Sequence, residues 1–184
     1  PGYTYLWTPG NLNTSSISNL ASGTYTLTVT DTKGCKAFGF VTINEPPALQ
    51  ANFINQQNIK CFNAATGSVS INATGGTPGY SYFWTPGNFI TATITAVQAG
   101  SYTVTVSDNN NCQTQNTVVL TQPTQALSVL TSATPAACNG ANSGSVQANA
   151  AGGTSPYSFF WTPGGSTAQT VSGLTQGNYT VLVT

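Results

Sequence analysis

The sequence predicts an all-β chain built from tandem β-sandwich units that repeat every 77 residues. The three tryptophans stand at positions 7, 84 and 161, so that 84 − 7 = 77 and 161 − 84 = 77. Apolar residues alternate with polar ones at a period of two, which is the strand period. Turn-forming Gly, Pro, Asn and Asp recur about every ten residues, a spacing typical of sandwiches and barrels.

The repeat runs through the whole chain without insertions or deletions. Further landmarks keep the 77-residue step: Tyr25, Tyr102 and Tyr179, the pair Cys35 and Cys112, and the pair Cys61 and Cys138. Because 184 = 2 × 77 + 30, we divide the chain into a partial repeat at 1–45 lacking its first strands, a complete repeat at 46–122 and a partial repeat at 123–184 lacking its last strand. This division indicates a section of a longer array.

Six strands are predicted in the complete repeat, separated by turns rich in Gly, Pro, Asn and Asp. They are Leu49–Lys60, Ser68–Ala73, Tyr80–Trp84, Ile90–Val97, Ser101–Ser107 and Thr114–Leu120. Residues two apart on a strand share a face. Tyr102, Val104 and Val106 therefore point to one side, which we assign to the core, and the alternating threonines point to solvent.

The aromatic landmarks of each repeat are predicted to form its structural core. These residues are Trp7, Trp84, Trp161, Tyr25, Tyr102 and Tyr179. Each tyrosine follows an apolar residue and a glycine in the pattern Val97-x-x-Gly100-x-Tyr102. This pattern resembles the tyrosine corner of immunoglobulin-like domains. We therefore expect tandem immunoglobulin-like sandwiches of the fibronectin type III or PKD type.

The composition excludes most enzyme classes. Only 3 residues are Lys or Arg, 3 are Asp or Glu, and none is His, so 3% of the chain is charged, against about 25% in ordinary domains. Without histidine there is no Ser/His/Asp triad and no imidazole zinc site. We expect no catalytic residue, cofactor or metal. The lack of a basic run argues against nucleic acid and anionic membrane surfaces. No membrane insertion is expected, because the uninterrupted apolar stretches are far shorter than a bilayer requires.

The four cysteines predict disulfides in an oxidising compartment. Four predicted strands separate Cys61 from Cys112, and an even number would bring both to the same end of the sandwich. We therefore favour a Cys61–Cys112 bond, with Cys35 and Cys138 paired outside the chain. An extra strand within Thr85–Phe89 would reverse this parity. The alternatives are pairing across the linkers, Cys35 with Cys61 and Cys112 with Cys138, or free thiols.

Two segments of the complete repeat resemble a known family. They read GGTPGYSYFWTPG (75–87) and AGSYTVTVSDNNNC (99–112), and they are similar to the SprB-type repeat of large secreted surface proteins in the Bacteroidota. The resemblance implies an extracellular adhesin or related surface protein exported by type IX secretion. Asn111 replaces the glycine that usually precedes the cysteine in this family. Such repeats also occur in proteins unrelated to gliding motility.

Several surface features allow a functional and a plainer interpretation. The turns at Asp31 and Asp108 offer one carboxylate each, so we favour polar hairpins over calcium loops. Leu6, Phe83 and Phe160 have solvent-facing parity, and we expect local packing to cover them rather than a repeated contact stripe.

We expect a structural stalk or an extracellular filament at the cell surface, whose partners are other copies or neighbouring repeats. A carbohydrate-binding accessory module, with surface polysaccharide as ligand, is the alternative. It requires exposed aromatic side chains, and the tryptophans are assigned to the core.

Overall fold

A computed structural model describes residues 2–184, so that the proposed start of the first repeat at Pro1 lies outside the described residues. Every regular element in that range is a strand, and the strands form five antiparallel sheets. We call the strands within residues 2–45 the first unit, those within 46–122 the middle unit and those within 123–184 the last unit. The prediction of an all-β, immunoglobulin-like chain is confirmed.

The middle unit is a complete sandwich of two three-stranded sheets. Its strands are β4 (Gln50–Gln57), β5 (Gly67–Thr74), β6 (Ser81–Thr85), β7 (Thr93–Val97), β8 (Gly100–Ser107) and β9 (Gln113–Leu120). One sheet has the order β4-β5-β7 and the other β6-β8-β9. All six strands were predicted from the sequence, with ends that differ by three residues at most.

The core lies between these two sheets. The largest fully buried side chains belong to the inward parity of both: Trp84, Ile94, Leu120, Val69, Val104 and Val106. Phe53 on β4 packs against Trp84 across the sandwich, with ring centroids 6.1 Å apart. Each fully buried aliphatic side chain stabilises the fold by about 1.5–3 kcal/mol. This core is the main source of stability in the unit.

The two ends of the middle unit differ, and we call them the base and the top. At the base, the Gly76 amide donates to the Pro47 carbonyl (2.6 Å) and the Thr77 amide donates to the Asp108 carboxylate (2.8 Å). At the top, the Ile59 amide donates to the Thr121 carbonyl (2.9 Å). Strand β9 therefore runs from base to top.

The glycine pair at the base is required by close backbone contact. Gly75 has φ +73°, and a Cβ atom there would collide with the carbonyl of Ala48. Gly76 has φ +59°, and its Cβ would meet the Asp108 carboxylate at 2.6 Å. The pair lets the turn between β5 and β6 fold under the start of β4. Gly152 repeats this arrangement against Ala126.

The first unit is a single sheet among the described residues. Its strands are β1 (Tyr3–Thr8), β2 (Gly23–Asp31) and β3 (Lys36–Ile43), in the order β1-β2-β3. They correspond at the 77-residue step to β6, β8 and β9. The inner face of this sheet therefore has no second sheet over it within residues 2–184.

The last unit has two sheets but no counterpart of β9 within the described residues. Its strands are β10 (Ser128–Thr134), β11 (Gly144–Ala151), β12 (Phe159–Thr162), β13 (Thr170–Leu174) and β14 (Thr180–Val183). A cleft of about 540 Å³ beside Gly144, Leu174 and Tyr179 opens between them. In the middle unit, Leu120 of β9 packs against Gly67, the counterpart of Gly144. The cleft therefore lies where a last strand would fill the core.

Candidate functional site

Each tryptophan anchors the same turn in the three units. The indole Nε1 donates to a carbonyl seven residues later: Trp7 to Thr14 (3.1 Å), Trp84 to Thr91 (2.8 Å) and Trp161 to Ala168 (3.0 Å). Trp84 and Trp161 are buried, as the strand parity predicts. Trp7 is only half-buried, because the first unit has no second sheet to cover it within the described residues. These side chains serve packing and turn geometry.

The tyrosine corner predicted from the sequence is present three times. The hydroxyl groups of Tyr25, Tyr102 and Tyr179 donate to the carbonyl four residues earlier, at 3.1, 3.0 and 3.1 Å respectively. Tyr25 and Tyr102 are buried. Tyr179 is half-buried beside the open cleft, so its assignment to the core is only partly met. The corner closes the turn before β8 and its counterparts.

The aspartate turns are built to hold backbone amides. In the middle unit, Asp108 accepts hydrogen bonds from the amides of Thr77 (2.8 Å), Asn110 (2.9 Å) and Cys112 (2.9 Å). The Thr77 bond above all, and then those from Cys112 and Asn110, lower the pKa of Asp108 despite its burial, which acts in the opposite direction. The carboxylate is thus engaged by amide donors, which favours a polar hairpin turn.

The replacement of glycine by asparagine in this turn has a structural explanation. Asn111 and its counterpart Gly34 both adopt positive φ, 62° and 86°. Asparagine tolerates this left-handed conformation better than other residues with a side chain. The turn therefore keeps one geometry in both units. No cluster of His, Cys, Asp and Glu suited to a metal occurs among residues 2–184.

The predicted Cys61–Cys112 bond does not fit the structure. All four cysteines are free and exposed. Cys61 lies at the top of the middle unit, in the loop after β4, whereas Cys112 lies at the base, directly before β9. The eight residues of β9 separate them by about 24 Å, and a disulfide requires Cα atoms about 4.4–6.8 Å apart.

The parity argument failed because the chain reverses between β6 and β7. The Trp84 amide donates to the Phe89 carbonyl, and the Ile71 amide donates to the Ala92 carbonyl, both at 2.9 Å. Residues 86–92 therefore run back toward the base, and β7 then runs toward the top. This reversal changes the parity in the same way as the extra strand within Thr85–Phe89 that the sequence analysis considered. Pairing across the linkers fits no better, because Cys112 and Cys138 lie at the far ends of two successive units.

The middle and last units touch at one end. The Thr154 hydroxyl, in the turn at the base of the last unit, donates to the Lys60 carbonyl at the top of the middle unit (2.7 Å). Thr154 corresponds at the 77-residue step to Thr77, which takes part in the base of the middle unit. The contact therefore joins the top of one unit to the base of the next.

The outer sheet faces carry exposed apolar side chains. Leu6, Phe83 and Phe160 are 41%, 47% and 49% exposed, so the expectation that local packing covers them is wrong. Phe38 and Phe40 on β3 are 78% and 80% exposed and were not singled out from the sequence. Leu6 and Phe38 both pair with Thr28, and Phe40 pairs with Thr26. We call Phe38 and Phe40 the aromatic stripe of the first unit.

The fold and these surfaces define a class: a repeat protein of tandem immunoglobulin-like sandwiches whose repeated polar contacts are structural. No helix within residues 2–184 has the length and apolar character needed to cross a membrane.

Comparison with known proteins agrees with this class. Two segments, residues 54–89 and 130–166, match the family model described as SprB repeat. They lie about one repeat apart, and they confirm the resemblance seen in the sequence. SprB repeats occur in surface-exposed proteins. A search of curated proteins finds no match.

Two solved structures with similarity to the chain are immunoglobulin-domain proteins. One is the N-terminal eight Ig domains of Down Syndrome Cell Adhesion Molecule isoform 1.30.30, with 17% identity and a TM-score of 0.39 over 98% of this chain and 32% of that chain. Another is Dpr2 Ig1-Ig2 in complex with DIP-Theta Ig1-Ig3, with 11% identity and a TM-score of 0.25 over 100% of this chain and 79% of that chain. The chain spans about a third of the first of these.

Proposed function

We propose that the chain acts as a structural repeat array of a secreted surface adhesin or an extracellular filament, without catalytic activity. Its units are a partial repeat at 1–45, a complete repeat at 46–122 and a partial repeat at 123–184. The contact between Thr154 and Lys60 carries this proposal, because it joins successive units end to end. Repetition of such a contact extends the array in one direction.

The surface chemistry supports a passive array. The formal net charge is zero, and only 3% of residues are charged, so that little electrostatic repulsion keeps neighbouring units or copies apart. Threonine pairs such as Thr103–Thr117 (2.9 Å) and Thr24–Thr42 (3.1 Å) bond to each other across the outer strands. These faces present neutral hydroxyl groups to their surroundings.

Electron microscopy of the purified chain at increasing concentration tests the proposal and distinguishes a filament from a stalk. Ordered polymers with a repeating subunit support the filament, and separate short rods support the stalk. The variant Phe38→Gln with Phe40→Thr, which copies Gln115 and Thr117 of the middle unit, is the matched control for contacts through the aromatic stripe. Compact particles without an elongated axis, at every concentration, would contradict both forms.

The second candidate function is a carbohydrate-binding accessory module, and the aromatic stripe is the observation that favours it. Phe38 and Phe40 lie two residues apart on one face of β3, about 7 Å apart along the strand. Their cross-strand partners are the half-buried Thr28 and the exposed Thr26. Exposed rings flanked by hydroxyls suit the apolar faces and hydroxyl groups of sugars. A glycan array probed with the chain and with the Phe38→Gln, Phe40→Thr variant tests this function, and equal signals from both proteins would reject it.

A further inference from the structure

We propose that successive units of such an array are joined by a disulfide between the cysteine in the top loop of one unit and the cysteine that opens the last strand of the next. The top-loop cysteines are Cys61 and Cys138, and those before the last strand are Cys35 and Cys112. The partner of Cys61 would stand at position 112 + 77 = 189 of a continued array. This inference rests on the array part of the proposed function and not on what the array binds.

The first step is the position of Cys61 at the junction of two units. The Lys60 carbonyl, which accepts from Thr154 Oγ1 at 2.7 Å, belongs to the peptide bond that leads into Cys61. Standard bond lengths then hold the Cα atoms of Cys61 and Thr154 within about 8 Å of each other. The exposed Cys61 thiol therefore lies beside the base of the following unit.

The second step is the position of the other cysteine within a complete unit. In the middle unit, the amides of Cys112 and Thr77 donate to the same carboxylate, that of Asp108, at 2.9 and 2.8 Å. Cys112 therefore lies beside Thr77 at the base. Since Thr154 is the counterpart of Thr77, a cysteine at position 189 would lie beside Thr154 and, through the junction, beside Cys61.

The spacing of the cysteines agrees with this pairing. The two partners would be 189 − 61 = 128 residues apart, and no two of the four cysteines in the chain have that separation. The pairing thus explains how four exposed cysteines at repeat positions all stay free in the described residues. The same rule assigns Cys35, Cys112 and Cys138 to partners one unit away from their own.

The bond itself forms by ordinary thiol oxidation. The two thiols lose two protons and two electrons, one S–S bond forms, and a disulfide-class oxidant such as oxidised glutathione is reduced to two thiols by exchange. Because the bond closes a loop that spans two units, it limits bending at each junction. A chain of units linked in this way would carry tension through covalent bonds at every step.

The first experiment tests the junction in the chain as it exists. Thr154→Cys is treated with a glutathione redox buffer, and free thiols are counted after denaturation. We expect the loss of two thiols per chain, with peptide mapping that links residue 154 to Cys61. The matched control, Thr170→Cys, adds an exposed cysteine halfway along the last unit and should keep all five thiols. Retention of five thiols by folded Thr154→Cys would overturn the first step.

The second experiment tests the natural pair. The sequence of residues 108–122 is appended after Thr184, which supplies the missing last strand together with a cysteine at position 189. We expect one disulfide between Cys61 and position 189 after oxidation, lost in Cys61→Ser and retained in Cys138→Ser. Far-ultraviolet circular dichroism confirms that each variant is folded. A bond to any other cysteine, or oxidised dimers in place of the internal bond, would overturn the proposal whatever the microscopy of the array shows.

Discussion

The middle and first units contain the same sheet at the same repeat positions, yet only one of them encloses a core. Trp84 is 0% exposed in the middle unit, whereas its counterpart Trp7 is half-buried. The indole hydrogen bond and the tyrosine corner are nevertheless formed in both units. Local turn geometry is therefore specified within the three strands β1–β3 or β6, β8 and β9, and burial depends on the second sheet.

The largest expected difference between the two units is the loss of stability when their tryptophans are replaced by alanine. Trp84→Ala should destabilise the middle unit by about 3–5 kcal/mol, because it leaves a cavity between two sheets. Trp7→Ala should lower stability by roughly 1–2 kcal/mol, since less of its surface is buried. Hydrogen exchange of β8 and β2 amides measures each unit separately within the full chain. Similar losses of stability in both units would contradict the conclusion that the second sheet determines how much the tryptophan contributes.

The next effect concerns the glycine pair at the base of the middle unit, which has no counterpart among the described residues of the first unit. Gly75→Ala should destabilise by at least about 2 kcal/mol, because the added methyl group meets the Ala48 carbonyl and φ is positive. Gly34→Ala is the matched control, with φ +86° and open space around its Cβ, and should lose only about 1 kcal/mol. Thermal melting of the full chain, together with hydrogen exchange of the folded protein, measures both losses. Equal losses would contradict the claim that the contact with Ala48 adds to the cost of the substitution.

A smaller effect is expected at the tyrosine corner. Tyr102→Phe removes the hydrogen bond that the hydroxyl group of a buried tyrosine donates to the Gln98 carbonyl. The free energy of unfolding should decrease by about 1 kcal/mol. Tyr179→Phe should lose less, because the Thr175 carbonyl lies near the open cleft where water can replace the hydroxyl. Urea denaturation gives both values. A larger loss in the last unit than in the middle unit would contradict the link between burial and the strength of this bond.

The smallest effect at neutral pH is expected at Asp108, and its sign follows from the lowered pKa. A carboxyl group with a lowered pKa in the folded state stabilises the fold above its ordinary pKa of 3.8. That contribution is lost as the pH falls through the lowered folded value. At pH values under about 4, the melting temperature of the middle unit should therefore decrease. The Asp108→Asn variant should show a weaker dependence of melting temperature on pH. Asp31→Asn is the control that should leave the middle unit unchanged.

Most of the fold could be predicted from the sequence because it follows from period and spacing. The two-residue alternation predicted β8 and its buried face, and the Gly-x-Tyr pattern predicted the hydroxyl bond of Tyr102. The direction of residues 86–92 could not be predicted in this way. That segment has no alternation, and its course depends on bonds to Trp84 and Ile71 on two different strands.

The aromatic stripe was missed for a related reason. Strand β3 carries apolar residues at both parities, with Ala37, Gly39 and Val41 facing inward, so its pattern does not reveal which face is exposed. The threonine row of β2 supplies the missing signal. Phe38 and Phe40 pair with Thr28 and Thr26, which the parity of β2 had already assigned to solvent.

The contact between the Thr154 hydroxyl and the Lys60 carbonyl has a consequence for symmetry. It joins two different surfaces, so it is heterologous, and repeating it produces an open chain instead of a closed pair. Every unit then faces the same way along the axis. An assembly of this kind is polar, with two chemically distinct termini, and growth or attachment at one terminus differs from that at the other.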